Sequence, residues 1–129
     1  MYPNNPDGSI ANFIVFPLDN GWELYLHEDM FKYGRAIERC LAVTETLSQM
    51  LEYLDNKIGG LRGNDILINL KETEPDSIIQ NYLWIVEQPD GSFTIFEDFE
   101  ANGRVFLDED FDIDELVSRH KDNNIIVSY

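Results

Sequence analysis

The chain has 129 residues, 25 of them Asp or Glu against 9 Lys or Arg, giving a formal charge of −16 and a pI near 4.1. Nucleic-acid binders neutralise phosphate with Lys and Arg, and anionic membranes attract the same cations, so this balance argues against direct binding to either. Hydrophobic residues at 43% and aromatics at 12% are too abundant for a disordered acidic tail, and one folded α+β domain over residues 1–129 is expected.

A single cysteine, Cys40, rules out a disulfide framework within the chain and fits a reducing compartment. Residues 1–9 read as an irregular lead-in with neither the basic nor the apolar region of a secretory signal, and no apolar run reaches the roughly 20 residues that span a bilayer. A cytoplasmic protein is the expectation.

Ile10 to Leu18 reads as a strand with apolar residues on both faces. Asp19-Asn20-Gly21 supplies a tight turn, and Trp22 to His27 alternates with period two, completing a hairpin. From Arg35 to Lys57 the period becomes helical: Ile37, Cys40, Leu41, Thr44, Leu47, Met50, Leu51 and Leu54 recur at three- and four-residue steps. One long amphipathic helix is expected there, ended by Gly59-Gly60.

Asp65 to Leu70 reads as a short strand, followed by a polar connection, Lys71 to Asp76. Ile78 to Glu87 is apolar on both faces and reads as a central strand. Pro89-Asp90-Gly91 turns it into Ser92 to Phe99, and Asn102-Gly103 into a further strand around Arg104 to Leu107. Asp112 followed by Glu115 is a capping signal for a short helix reaching Arg119 and Lys121, and Ile125 to Val127 closes the chain as a strand. No internal repeat is visible. The expected architecture is a mainly antiparallel sheet of hairpins with the long helix on one face, a short second helix near the C-terminus, and the other sheet face open to a partner.

No group of residues assembles a reaction. His27-Glu28-Asp29 offers three metal-ligand types, but neighbours on an extended strand point to alternate faces. His120 sits between Arg119 and Lys121 at a helix end, and Cys40 lies on an apolar stripe rather than in the electropositive setting that makes a thiolate reactive. The glycine-rich run Gly59 to Gly63 lacks the Lys-Ser or Lys-Thr of a phosphate loop. Asp108, Asp110 and Asp112 have the spacing of an EF-hand calcium loop, but its glycine position holds Ile113 and its final glutamate position holds Arg119. No enzyme, metal or cofactor is expected from these residues.

Charge is concentrated instead. Between Glu87 and Glu115 lie eleven carboxylates against one cation, Arg104, so this window holds −10 of the total −16. Phe93 and Ile95 are expected to face the core, leaving Phe96 exposed among acids on the opposite face. Phe96 as an apolar anchor, with Glu97, Asp98, Glu100, Asp108, Asp110 and Asp112 around it, has the composition of a protein-binding patch. The expected function is a small acidic inhibitor that neutralises a basic protein, such as an immunity protein or antitoxin capping a nuclease toxin. A DNA-mimicking anti-defence protein and an acidic secretion chaperone are the alternatives.

Overall fold

The computed structural model describes residues 12–29, 36–70, 82–99 and 103–129. Its strands are β1 (Phe13–Leu18), β2 (Gly21–Leu26), β3 (Ala42–Thr44), β4 (Asp65–Ile68), β5 (Leu83–Glu87), β6 (Phe93–Phe99), β7 (Gly103–Asp110) and β8 (Ile125–Ser128). Among the described residues two helices, α1 (Leu47–Ile58) and α2 (Ile113–Ser118), accompany them, with a 3-10 turn at Ile37–Arg39 and helical residues at 27–29. The strands form one sheet in the order β3-β2-β1-β4-β8-β5-β6-β7.

That order contains a repeat which the amino-acid sequence conceals. Apart from the helical turns between β2 and β3, each half runs strand, strand, strand, helix, strand, and in each half the last strand returns parallel to the first: β4 beside β1, and β8 beside β5. Parallel neighbours need a long crossover, and each crossover here carries a helix. The correspondence extends to residues. Phe13 and Val15 lie opposite Ile66 and Ile68 in the first half, as Leu83 and Ile85 lie opposite Ile125 and Val127 in the second. The halves meet at β4 and β8, antiparallel, with Ile66 opposite Val127 and Ile68 opposite Ile125, so a pseudo-twofold axis passes between them. The repeat is one of topology and not of amino-acid sequence, and β8, the last strand of the chain as expected, takes a central place in the sheet, flanked by β4 and β5.

The predicted long helix is also shorter than expected. α1 starts at Leu47, because Thr46 ends the preceding extended segment and caps the helix. Its side chain accepts from the Gln49 amide at 3.1 Å while Gln49 Oε1 accepts from the Thr46 amide at 3.2 Å. Upstream, Ala42-Val43-Thr44 forms β3 against β2 instead of a helical turn, since β-branched Val43 and Thr44 suit a pleated strand. Gly21 permits this pairing: a Cβ there would stand against the Thr44 carbonyl oxygen. Cys40 therefore lies outside the helix, its Sγ donating to the Ala42 carbonyl at 3.3 Å. Gly59, in the left-handed region at φ 77°, ends α1 as its sequence suggests.

α1 and α2 pack on the first face of the sheet. Leu47, Met50, Leu51 and Leu54 from α1, and Ile113, Leu116 and Val117 from α2, join Val15, Leu24, Ile66, Ile85, Ile95 and Val127 in the main core. Each such side chain contributes about 1.5–3 kcal/mol by leaving water. The second face is not open at its centre. Ile14, Phe16, Tyr25, Leu67, Tyr82 and Ile126 are buried there in a smaller cluster, and Phe16 meets Tyr25 edge to face at 5.8 Å. Strands apolar on both sides signal burial on both sides, and β1 and β5 show that pattern.

Candidate protein-binding surface

Eight of the eleven clustered carboxylates lie between the start of β6 and the end of α2 within the described residues: Glu97, Asp98, Asp108, Glu109, Asp110, Asp112, Asp114 and Glu115. Asp98 lies on β6 opposite Arg104 in register, and Glu100 falls outside the described residues.

Much of this charge has a structural partner. Arg119, just after α2, donates from Nε to Asp108 Oδ2 and from Nη1 to Asp110 Oδ2, both at 2.9 Å, and from Nη2 to the Glu109 carbonyl at 3.3 Å. His120 Nε2 lies 3.1 Å from the same Asp108 oxygen. Hydrogen bonds from Arg119 and then His120 hold the Asp108 carboxyl well below the usual carboxylate range. The Asp112 amide, and then Arg119, lower Asp110. The residue at the final glutamate position of the calcium-loop spacing is thus the cation between the first two aspartates. Asp108 and Asp110 serve as anchors for α2 rather than as free contact groups.

Asp112 and Asp114 cap helices. Asp112 accepts from the Asp114 amide at 3.0 Å at the start of α2. Asp114 reaches across to α1, where its Oδ2 accepts from the Ser48 amide at 3.1 Å and hydroxyl at 2.8 Å, and its Oδ1 from the Leu47 amide at 2.6 Å. A carboxylate at a helix N-terminus satisfies donors that have no partner in the helix and meets the positive end of the dipole. Asp90 accepts from the Ser92 hydroxyl and amide in the β5–β6 turn, and these two bonds lower its pKa. Five of the eleven acids are therefore committed within the fold.

Phe96 requires a second correction. It points away from Phe93 and Ile95 as expected, but only 6% of it is exposed. It lies between Trp84 and Phe106 in register, and the Arg104 guanidinium sits 4.4 Å from its ring centroid. The exposed aromatics are Phe106 at 60% and Phe111 at 69%, with Val105 and Leu107 also exposed. Their signal in the sequence was the uninterrupted run Val105-Phe106-Leu107 ahead of the acids, whose partner strand lies on one side only.

The carboxylates that remain beside this apolar run are Glu97, opposite Val105, and Glu109, opposite Thr94. Together with Glu115, exposed on α2, they give the outer rim of the second half a negative border. Glu97 sits opposite core residue Leu83 on β5, so the acids named from sequence do not share one face with Phe96.

The sheet and helices also frame a cleft of about 720 Å³ lined by α1 residues Leu51, Glu52 and Asp55, by Leu61 and Arg62, and by Glu87 and Tyr129. Burial, then the charges of Glu87 and Asp55, push the Tyr129 phenol up. Asp55 is partly committed, accepting from the Leu61 amide at 3.1 Å. His27 is buried at 2% exposure, with Glu23 and Tyr25 buried on β2 before it. Among the described residues no three His, Cys, Asp or Glu side chains gather in a metal-holding arrangement, and no helix is long and apolar enough to cross a membrane.

Comparison with protein-family models, with curated proteins and with solved structures finds no match to this chain.

Proposed function

We propose that this chain is a small acidic binding protein of the cytoplasm that neutralises a basic protein, acting as an immunity protein or antitoxin against a nuclease toxin. The observation that carries the reading is the exposed apolar run Val105-Phe106-Leu107, with Phe111 beyond it, bordered by Glu97 and Glu109. Exposed apolar side chains beside carboxylates that the fold does not use have the composition of a protein interface. A nuclease must carry positive charge to hold its substrate, so a negative rim gains both association rate and selectivity against it. The DNA-mimic alternative draws less support. Such a mimic needs free carboxylates over a long surface, whereas Asp90, Asp108, Asp110, Asp112 and Asp114 are engaged internally. The secretion-chaperone alternative has no specific observation in its favour.

The test is capture of the partner from the native host at low salt, followed by assay of its nucleic-acid cleavage. The expected partner is basic, is released as salt rises, and is inhibited stoichiometrically. Glu97→Lys combined with Glu109→Lys slows association without unfolding the protein. A captured partner that is neutral or acidic, and indifferent to salt, overturns the reading.

A further inference from the structure

The two outermost strands occupy equivalent places in the two halves, and they end the sheet differently. β3 has three residues, and a very short edge strand is one of the ways proteins prevent unwanted pairing. β7 has eight residues, is paired only with β6 among the described residues, and is exposed at Gly103 through Leu107.

β7 is guarded along only one half. At Glu109 the amide donates to Asp108 Oδ1 at 2.8 Å and the carbonyl accepts from Arg119 at 3.3 Å, so neither group is left for another strand. Charged side chains at Asp108, Glu109 and Asp110 reinforce the block. From Arg104 to Leu107 no such closure is found among the described residues: the side chains after Arg104 are Val105, Phe106 and Leu107, all at least 39% exposed. A register shift between Ile95 and Phe96 separates the two halves of the strand, leaving Leu107 without a partner on β6.

We propose that the outer side of β7 from Arg104 to Leu107 accepts an extended, lysine- or arginine-bearing segment of the basic partner as an added ninth strand. This rests on the basic-partner reading above and specifies its mode. Main-chain hydrogen bonds supply affinity in strand addition, and alternate side chains supply selectivity. Successive residues of an extended strand point to alternate faces, so the apolar set of the incoming strand meets Phe106 on one face while its cations meet Glu97, beside Val105, on the other. A second copy of this chain is the disfavoured occupant, because it brings another −16 and its own Asp108-Glu109-Asp110 to the same edge.

The full chain is titrated with a short capped peptide alternating lysine and valine. The comparison probes are its glutamate counterpart and lysine peptides N-methylated at every other backbone nitrogen, in both alternations. The lysine peptide is expected to bind, more weakly as salt rises, and to slow amide exchange within Arg104–Leu107. Methylation of the pairing alternation is expected to weaken binding by about tenfold or more, since several main-chain bonds are lost together. Equal binding by both methylated forms overturns strand addition and leaves the basic-partner reading standing. Equal binding by the glutamate peptide overturns both. Absence of binding by every peptide at low salt overturns the strand proposal alone, since partner capture tests the reading separately. Concentration-dependent dimerisation that protects the same amides also overturns the proposal, replacing the partner by a second copy.

Discussion

Arg119 holds Asp108 through Nε at 2.9 Å, fastening the end of α2 to the outermost strand of the sheet. Its Nη1 holds Asp110 at the same distance. One guanidinium thus neutralises two carboxylates that would otherwise repel each other on β7, and its planar fork fits that task as an ammonium does not.

Replacing it by alanine is therefore expected to lower the melting temperature and to speed amide exchange over Asp108–Asp110. Arg119→Lys retains the charge but not the fork, and should recover only part of the loss. Unchanged exchange at Asp108–Asp110 in Arg119→Ala would show that β7 holds its position without this clamp.

The same contacts set an acid dependence. Asp108 and Asp110 have folded-state pKa values below those of the unfolded chain. Their contribution is therefore complete above the unfolded value, about 3.9, and is lost as pH falls towards the folded values. Denaturant melts between about pH 5 and pH 2 should show this loss, and Arg119→Ala should flatten it. Both carboxylates are half-buried at the surface, about 30% exposed, so screening limits the effect and high salt should reduce it.

At the alkaline end the sign reverses. Burial and the charges of Glu87 and Asp55 raise the Tyr129 phenol above the unfolded value of about 10, so folding favours the neutral form. That contribution is present below the unfolded pKa and is lost as pH rises through it towards the folded pKa. Stability should decline above about pH 10 in the native chain and less steeply in Tyr129→Phe. A phenolate titration near 10 by ultraviolet absorbance would contradict this.

Asp114 caps a helix to which it does not belong, so its removal should loosen two elements at once. Asp114→Ala is expected to cost about 1–2 kcal/mol in chemical denaturation, the range of a lost N-cap. Thr46→Ala, which breaks the reciprocal bonds with Gln49, should cost about 1 kcal/mol. Combining the two should depart from additivity, because both act on the first turn of α1.

Phe96 and Phe106 are neighbours across β6 and β7 with opposite exposures, 6% and 60%. Phe96→Ala should destabilise by about 3 kcal/mol, as loss of a buried aromatic does, whereas Phe106→Ser should stay within about 0.5 kcal/mol of the native chain. Loss of partner binding in Phe106→Ser at unchanged stability would separate the interface from the core.

Local chemistry was legible in the sequence wherever it acts over a few residues. The turns at Asp19-Asn20-Gly21 and Pro89-Asp90-Gly91, the apolar spacing of Leu47, Met50, Leu51 and Leu54, the stop at Gly59 and the Asp112 cap are all where the residues place them. The segment 42–44 is ambiguous in the sequence because its apolar spacing fits a helix as well as a strand. Pairing with β2, which begins twenty-one positions upstream, selects the strand.

The sequence by itself determined that the chain is acidic, that it folds as mixed helix and antiparallel hairpins, and that charge gathers between Glu87 and Glu115. Only the tertiary structure decided which of those charges are free. Asp114 spends its carboxylate on a helix 66 residues away in the chain, and Arg119 lies beside Asp108 only because α2 folds back over β7. It also decided that Phe96 is buried while Phe106 is exposed, and that two unlike segments repeat one topology. Sequence records the residue types and their local spacing. Long-range pairing sets which polar groups are satisfied within the fold and which are left at the edge of β7.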